Sequence, residues 1–381
     1  MKVAAIIIVC IGMVVLIAAL AIKTGAAHRI FFKIYAFVKG DGLVAPNIFR
    51  LPPTNSPYER WLQGARTRFP MFEGRVVQDI EHTALKPWPQ LGEGVSGLYL
   101  RFADYQMTDG RLVELPVRGR TTRQRQLYEQ GIYILSGSGF TTLRQHAEPE
   151  QRVEWQRGDL FSVPLNVEHR HFNSGGAPAR MLIVSSFPMV LNIMNSEEFI
   201  AQNDFNFSDR YDGARGFSDY REQLSEYEVA ANFVANVPEA PTVRNPGAGN
   251  AREFMHWLMA GNSMLKMHVS ELPPKCHLKA HRHTSDAFIL LLSGEGFSLA
   301  WPEGNFKNRM RVAWKAGTLF VPPTFWYHQH FNPGPVPARH LAINVPDVVR
   351  NLGLNFNNQL EVDSNDVRKE WERALNRSAG Q

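Results

Sequence analysis

Two histidines one residue apart, His281 and His283, are the residues of this chain whose spacing most directly allows chemistry. In an extended strand, residues i and i+2 project from one face, so both imidazoles point the same way. A second set follows downstream at the same period: His328, His330 and Asn332. Imidazole nitrogens suit Fe, Zn, Ni or Cu. The competing reading is a set of ordinary core or surface histidines, and His268, His277 and His340 are read that way. Cys276 is read as a small core residue, since a lone thiol packs more often than it reacts. Trp301, Trp326 and Tyr327 either line a pocket for an aromatic compound or belong to a core.

The elements that must position these residues are legible through an internal repeat. YILSGSGFTTL at 133–143 matches LLLSGEGFSLA at 290–300 as an apolar strand, a Ser-Gly-x-Gly-Phe turn and a second strand. GDLFSVPLNVEHRHFNSGGAPARMLIV at 158–184 matches GTLFVPPTFWYHQHFNPGPVPARHLAI at 317–343. Gly158, Leu160, Phe161, Pro164, His169, His171, Phe172, Asn173, Pro178, Ala179 and Arg180 all recur 159 positions later (158 to 317, 180 to 339). Short strands broken by Gly, Pro and Asn turns predict antiparallel barrels or jelly rolls. The expected organisation is an anchor at 1–24, an amphipathic and irregular extension at 25–91, a first barrel at 92–195, a linker at 196–259, a second barrel at 260–348 and a tail at 349–381. The linker is expected to carry a helix around Tyr220–Val234, and the tail an amphipathic helix at 363–377. The Pro-rich 40–91 stretch is expected to wrap irregularly over the barrels.

The paired units resemble cupins. In the second unit His281-Arg282-His283 and Gly294 stand where the first cupin motif places them, and Gly317, Pro323, His328 and Asn332 follow the second motif. The order of motifs is similar to that of two-barrel cupins of the gentisate dioxygenase and oxalate decarboxylase types, and the wording is nearer the gentisate branch. The resemblance implies an all-β fold of two tandem jelly-roll barrels with a few accessory helices. It also implies that the topology brings His328 beside His281 and His283, making a three-histidine site for one divalent metal. Fe(II) is the expected ion, with Mn, Zn or Ni as alternatives.

Two departures from the family pattern matter. The motif's carboxylate position is occupied by Ala287, and Asp286 beside it faces the other way unless a bulge turns it. A site of three neutral histidines leaves the ion its full charge, which favours an anionic substrate. In the first unit Gln124 and Gln126 stand where His281 and His283 stand in the second, although Glu129 and His169 remain. Glutamine is a poor ligand for transition metals, so the first barrel is read as metal-free, kept for packing or as a ligand pocket. Glu129 is expected to pair with Arg123 or Arg125.

Composition excludes several classes. Two cysteines in 381 residues, Cys10 and Cys276, rule out a disulfide framework and a Cys-rich zinc site. A net charge of +5 without a basic block gives no indication of nucleic-acid binding. Glycine and proline, 29 and 24, fit a turn-rich β protein better than a helical bundle. Residues 3–22 carry no charge, and at ~1.5 Å per residue they span about 30 Å, enough to cross a hydrocarbon core. A cleaved signal ending near Ala26 and Ala27 is the alternative. The following HRIFFKIYAFVKG reads either as a helix in the headgroup region or as an ordinary surface helix. Lys23, Arg29, Lys33 and Lys39 place the globular part on the cytoplasmic side, with a translocated, periplasmic domain as competitor.

Together these readings predict a membrane-anchored bicupin, a non-haem Fe(II) dioxygenase of a small anionic or aromatic substrate. His330 and Arg339 are the expected catalytic positions that orient the substrate. The alternatives are a non-oxidative Mn or Zn isomerase or decarboxylase and a non-catalytic accessory protein. Homo-oligomerisation and recruitment to a membrane complex stay open.

Overall fold

A computed structural model describes residues 55–102, 107–145, 149–213, 216–244, 252–354 and 357–379. The apolar run at 3–22, the amphipathic stretch after it and the anchor expected there lie outside the described residues. Among the described residues no helix is long and apolar enough to cross a membrane.

The first barrel has eight main strands: β1 (Ser96–Arg101), β2 (Asp109–Leu115), β3 (Gln130–Ser136), β4 (Ser138–Arg144), β5 (Gln151–Gln156), β6 (Leu160–Val163), β7 (Glu168–Asn173) and β8 (Ala179–Ser185). Its large sheet runs β1-β2-β8-β3-β6, and its small sheet runs β7-β4-β5. The second barrel repeats this with β9 (Glu253–Leu258), β10 (Lys266–Leu272), β11 (His281–His283), β12 (Ala287–Ser293), β13 (Glu295–Trp301), β14 (Met310–Lys315), β15 (Leu319–Phe320), β16 (Tyr327–Asn332) and β17 (Ala338–Asn344). Its large sheet runs β9-β10-β17-β12-β15, and its small sheet runs β14-β13-β16-β11. The segment Trp301–Arg309 is a separate short body, in which Trp301 meets Phe306 edge-on at 5.0 Å.

The large sheets pack on one another, which explains why β3 and β12 read as unbroken apolar runs. A strand buried on both faces has no reason to alternate. In β3, Ile132 and Ile134 fill the barrel interior, whereas Tyr133 and Leu135 join the core between the barrels. In β12, Ile289 and Leu291 face inward, and Phe288 and Leu290 face the first barrel. The contact is knob into hole. A Cβ on Gly110 would lie 2.5 Å from the Phe288 ring, and one on Gly131 would lie 2.5 Å from Met267 Cε. The first barrel supplies the holes at the positions where the second supplies the knobs.

The barrels also exchange edge strands. Val76–Val77, ahead of the first barrel, pairs with β15 of the second, and Phe233–Val234, ahead of the second, pairs with β6 of the first. Each crossing segment is pinned by the repeated arginine of the barrel it leads into. Arg180 donates to the carbonyls of Ile80, Glu81 and Thr83, and Arg339 to those of Pro238 and Ala240.

Three expectations from sequence need correction. Tyr220–Val234 is not helical: it forms a hairpin, Arg221–Ser225 with Glu228–Ala231, followed by Phe233–Val234. Val229 and Ala231 alternate into the core between the barrels, and Glu228–Ala231 pairs parallel with β9, so tertiary pairing overrides local helical pattern. Residues 253–258, taken as linker, are the strand β9. The 40–91 stretch, expected to be irregular, holds helix α1 (Pro57–Arg68). The Ser56 hydroxyl caps it by accepting from Glu59 N–H, Pro57 opens it, and Tyr58, Leu62 and Ala65 form its buried stripe. The tail helix, Asn365–Ala379, is where the sequence places it to within two residues.

Candidate metal centre

His281 and His328 are direct cross-strand partners, and His283 follows two residues on along β11. The ring centroids of His281 and His328 lie 4.4 Å apart, those of His283 and His328 4.8 Å, and those of His281 and His283 5.8 Å. Their ligand atoms all fall within 4.8 Å of one another. In each ring Nδ1 faces a backbone carbonyl: Lys279 O for His281 at 3.0 Å, Ser285 O for His283 at 2.5 Å and Trp326 O for His328 at 3.2 Å. A carbonyl can only accept, so Nδ1 carries the proton and the Nε2 lone pair is free. Burial holds all three in the neutral form, reinforced by neighbouring histidines at His281 and His328 and by the Arg252 charge at His283, with His281 pushed down to about 3. Three neutral Nε2 donors with fixed tautomers fit a divalent cation.

Asp286 does not join them. Its Oδ2 accepts the amides of Met107 and Thr108, each at 3.1 Å, and burial raises its pKa to about 6. His330 sits beside the triad, with its centroid 5.7 Å from that of His328. Its Nδ1 lies 2.7 Å from Ser298 Oγ, which also accepts from Trp314 Nε1 at 2.9 Å. The first barrel has the same chain: His171 Nδ1 to Thr141 Oγ1 at 2.8 Å, and Trp155 Nε1 to Thr141 Oγ1 at 3.0 Å. The anchoring of His330 is therefore part of the barrel's framework. The Asn332 side-chain amide donates to Leu272, Pro273 and Val336 carbonyls, and Asn173 repeats this with Leu115, Pro116 and Ala177.

Arg339, expected to orient substrate, is placed elsewhere. It points away from His340 across the strand, pairs with Glu271 at 3.0 Å and holds the crossing segment described above. The cation inside the second barrel is Arg252, which sequence reasoning passed over. Its Nε donates to Ser270 Oγ at 2.6 Å, and an Nη lies 3.4 Å from His268 Nε2. Among the described residues no carboxylate pairs with it, and burial lowers its pKa to about 10. It lines a cavity of about 10 Å³ with Ser270, His330 and His340, about the space of a single water. Its charge reaches the triad, depressing His281 and His283. Nothing in the linear sequence separates Arg252 from other arginines of the chain.

The first barrel keeps the geometry without the donors. Gln124 bridges His169 just as His281 pairs with His328. His169 is buried, with Nδ1 on Val167 O at 3.0 Å, and is pushed down to about 4 by desolvation. Glu129 does not pair with Arg123 or Arg125, whose partners are Glu168 and Asp204. It accepts from Arg210 at 3.0 Å and from the amides of Ser263, Met264 and Leu265, each at 2.8 Å.

The comparisons with known proteins follow this geometry. The family model of the cupin domain matches residues 111–185, which is β2 to β8. A 5-aminosalicylate 1,2-dioxygenase from a Comamonas species is 26% identical over 221 residues, 54% of this chain and 56% of the relative, so the alignment spans about half of that protein. Among solved structures, a salicylate 1,2-dioxygenase from Pseudaminobacter salicylatoxidans aligns over 72% of this chain and 79% of its own, at 13% identity and a TM-score of 0.49. An oxalate decarboxylase from Lactobacillus farciminis aligns over 75% and 88%, at 10% identity and a TM-score of 0.49. The first barrel thus carries a match to the cupin domain over residues 111–185, and the second barrel repeats its strand order.

Proposed function

We propose that the second barrel is a single-metal oxygenase site, that of a non-haem Fe(II) dioxygenase acting on a small anionic aromatic compound. The observation that carries this reading is the convergence of His281, His283 and His328 with every Nδ1 tied to a carbonyl. When bound, the ion supplies Lewis acidity and a redox-active contact for O₂. The three imidazoles hold it without adding negative charge, because Asp286 is committed to the amides of Met107 and Thr108. The interior therefore stays cationic and favours an anion. Arg252, half-buried and without a carboxylate partner among the described residues, is the group that would orient that anion. Leu291, Trp314 and Phe320 line the small space beside Arg252. The name of the 26% identical relative, an aromatic-acid dioxygenase, is in keeping with this substrate class.

The test is anaerobic purification, loading with Fe(II), elemental analysis and O₂ uptake with a panel of hydroxybenzoates. About one iron per chain and substrate-dependent O₂ consumption are expected, and Arg252→Gln should raise KM by about tenfold or more. Turnover without O₂ would replace the oxygenase with a non-oxidative isomerase or decarboxylase. Retention of less than roughly a tenth of an equivalent of any metal would point to a binding protein.

We further propose that residues 3–22 anchor the barrels to a membrane as a single span, with the globular part in the cytoplasm. The charge-free length and the lysines and arginine that follow support this. Removal of residues 1–39 should release the protein from the membrane fraction; unchanged sedimentation with membranes would refute the anchor.

A further inference from the structure

The first barrel has lost its metal ligands without closing its mouth. Gln124 and Gln126 lie at the edge of a cavity of about 410 Å³, within the ~300–1,000 Å³ span of small-molecule sites. Three features of its wall point to one kind of ligand.

The wall is aromatic. Trp61 of α1 lies 5.5 Å from Tyr99 and 4.8 Å from Phe187, and Phe69 stacks on Trp88 at 4.8 Å. Trp61 and Phe69 are only partly buried, and rings held rigid by buried neighbours such as Tyr99, Phe187 and Trp88 can receive a planar guest at little entropic cost.

The wall is also cationic. Arg111 is its most buried cation, Arg68 lines it from an exposed position, and Arg123 and Arg125 are paired with Glu168 and Asp204. Arg68 lies 3.8 Å from Glu197 and over the Trp61 and Phe69 rings, at 5.7 and 5.9 Å. Arg111 donates to Tyr128 Oη at 3.2 Å and lies 3.6 Å from Asp109. Position by position, Tyr99 and Arg111 stand where the second barrel has His256 and His268, because both pairs are direct partners on the first two strands of their large sheets.

Finally, the wall holds two buried donors without acceptors. Among the described residues Arg111 Nε and Trp61 Nε1 have no hydrogen-bond partner, although buried N–H groups are nearly always satisfied. An aromatic ring bearing a carboxylate matches the aromatic lining and the Arg111 guanidinium together.

We propose that the mouth of the first barrel is a second, metal-independent binding site for a planar aromatic carboxylate, held between the Trp61–Tyr99–Phe187 wall and the Arg111 guanidinium. This site is separate from the triad and does not depend on what the second barrel does.

The test uses the full chain with His281→Ala and His283→Ala, and in parallel the wild-type protein stripped with a chelator, should the double variant not fold. The probes are 2-hydroxybenzoate and its uncharged analogue 2-hydroxybenzyl alcohol. Both metal-free forms should bind about one equivalent of 2-hydroxybenzoate, quench tryptophan fluorescence and discriminate against the alcohol by about tenfold or more. Ala201→Trp, which fills the cavity from an exposed helix position, should weaken binding by about tenfold or more while leaving wild-type metal content unchanged. Arg111→Gln should abolish the preference for the acid. Absence of saturable binding in both metal-free forms, or affinity untouched by Ala201→Trp, overturns the proposal. Neither outcome bears on iron binding or O₂ uptake at the second barrel.

Discussion

Asp286 Oδ2 accepts the amide of Thr108 at 3.1 Å, across the boundary between two barrels and 178 residues of chain. Its counterpart in the first barrel, Glu129, does the same with the amide of Leu265 at 2.8 Å. Each barrel thus presents one buried carboxylate to the backbone that leads into the second strand of the other barrel's large sheet. Such amides must find acceptors once buried. The acidic position beside the histidine motif has become a reciprocal lock between the barrels.

Removing the lock should cost stability and leave metal alone. Glu129→Ala strands three amides and the Arg210 guanidinium, and should lower unfolding free energy by about 3 kcal/mol or more. Asp286→Ala should cost about 1–3 kcal/mol. Denaturant unfolding measures both, and elemental analysis of the folded Asp286→Ala protein should give unchanged stoichiometry. A folded variant that has lost its metal would make Asp286 a ligand.

His283→Ala should reduce metal affinity by at least about 100-fold, since one of three donors is lost. Gln124→Ala should not change it. Titration with Fe(II) under anaerobic conditions separates the two, and a loss at Gln124 would show that the first barrel takes part.

The knob-and-hole contact predicts an asymmetric response. Gly110→Val drives a side chain into the Phe288 ring, where even a Cβ comes within 2.5 Å, and should cost about 1–3 kcal/mol. Phe288→Ala should cost about 3–5 kcal/mol. The double variant should be less destabilised than the sum, and strict additivity in a thermal-unfolding cycle would argue against direct contact.

Acid should destabilise the metal-free protein from about pH 6.5 downward. Burial pushes His340 and His256 to about 3 and His169 to about 4, and holds His268 well below its ordinary value. Unfolded, these rings take up protons near ~6.5. The unfolded state then binds more protons, so stability falls as pH drops from about 6.5 toward 3–4, by up to about 1.4 kcal/mol per pH unit for each such histidine. Asp286, raised to about 6, works in the opposite sense: it stabilises most when protonated, and its contribution declines as pH rises from about 4 to 6. Apparent melting temperature measured from pH 8 to 4 should fall steadily below pH 6.5. A flat profile would mean that the histidine cluster is already hydrated or charged.

The sequence by itself determined what depends on local geometry. The strand period put His281 and His283 on one face, and the repeat announced two barrels. The one-residue offset of Asp286 removed it from that face, and the glutamines at 124 and 126 marked the first barrel as the altered one. These are statements about which way a side chain points, and two-residue alternation fixes that without reference to the rest of the chain. The Ser56-Pro57 capping signal of α1 was equally local and was passed over.

Only the tertiary structure decided what each side chain meets. Arg339 looks like Arg252 in a sequence, yet one pins a crossing segment and the other bonds Ser270 inside a barrel. Arg221–Ala231 has helical spacing but folds as a hairpin, because β9 offers it a partner edge. Glu129 finds its amides more than a hundred residues away. The aromatic mouth of the first barrel draws on α1, two barrel strands and the helix after β8. Pairing across such distances is set by burial and by the demand that every buried polar group find a partner, and neither is written in the spacing of neighbouring residues.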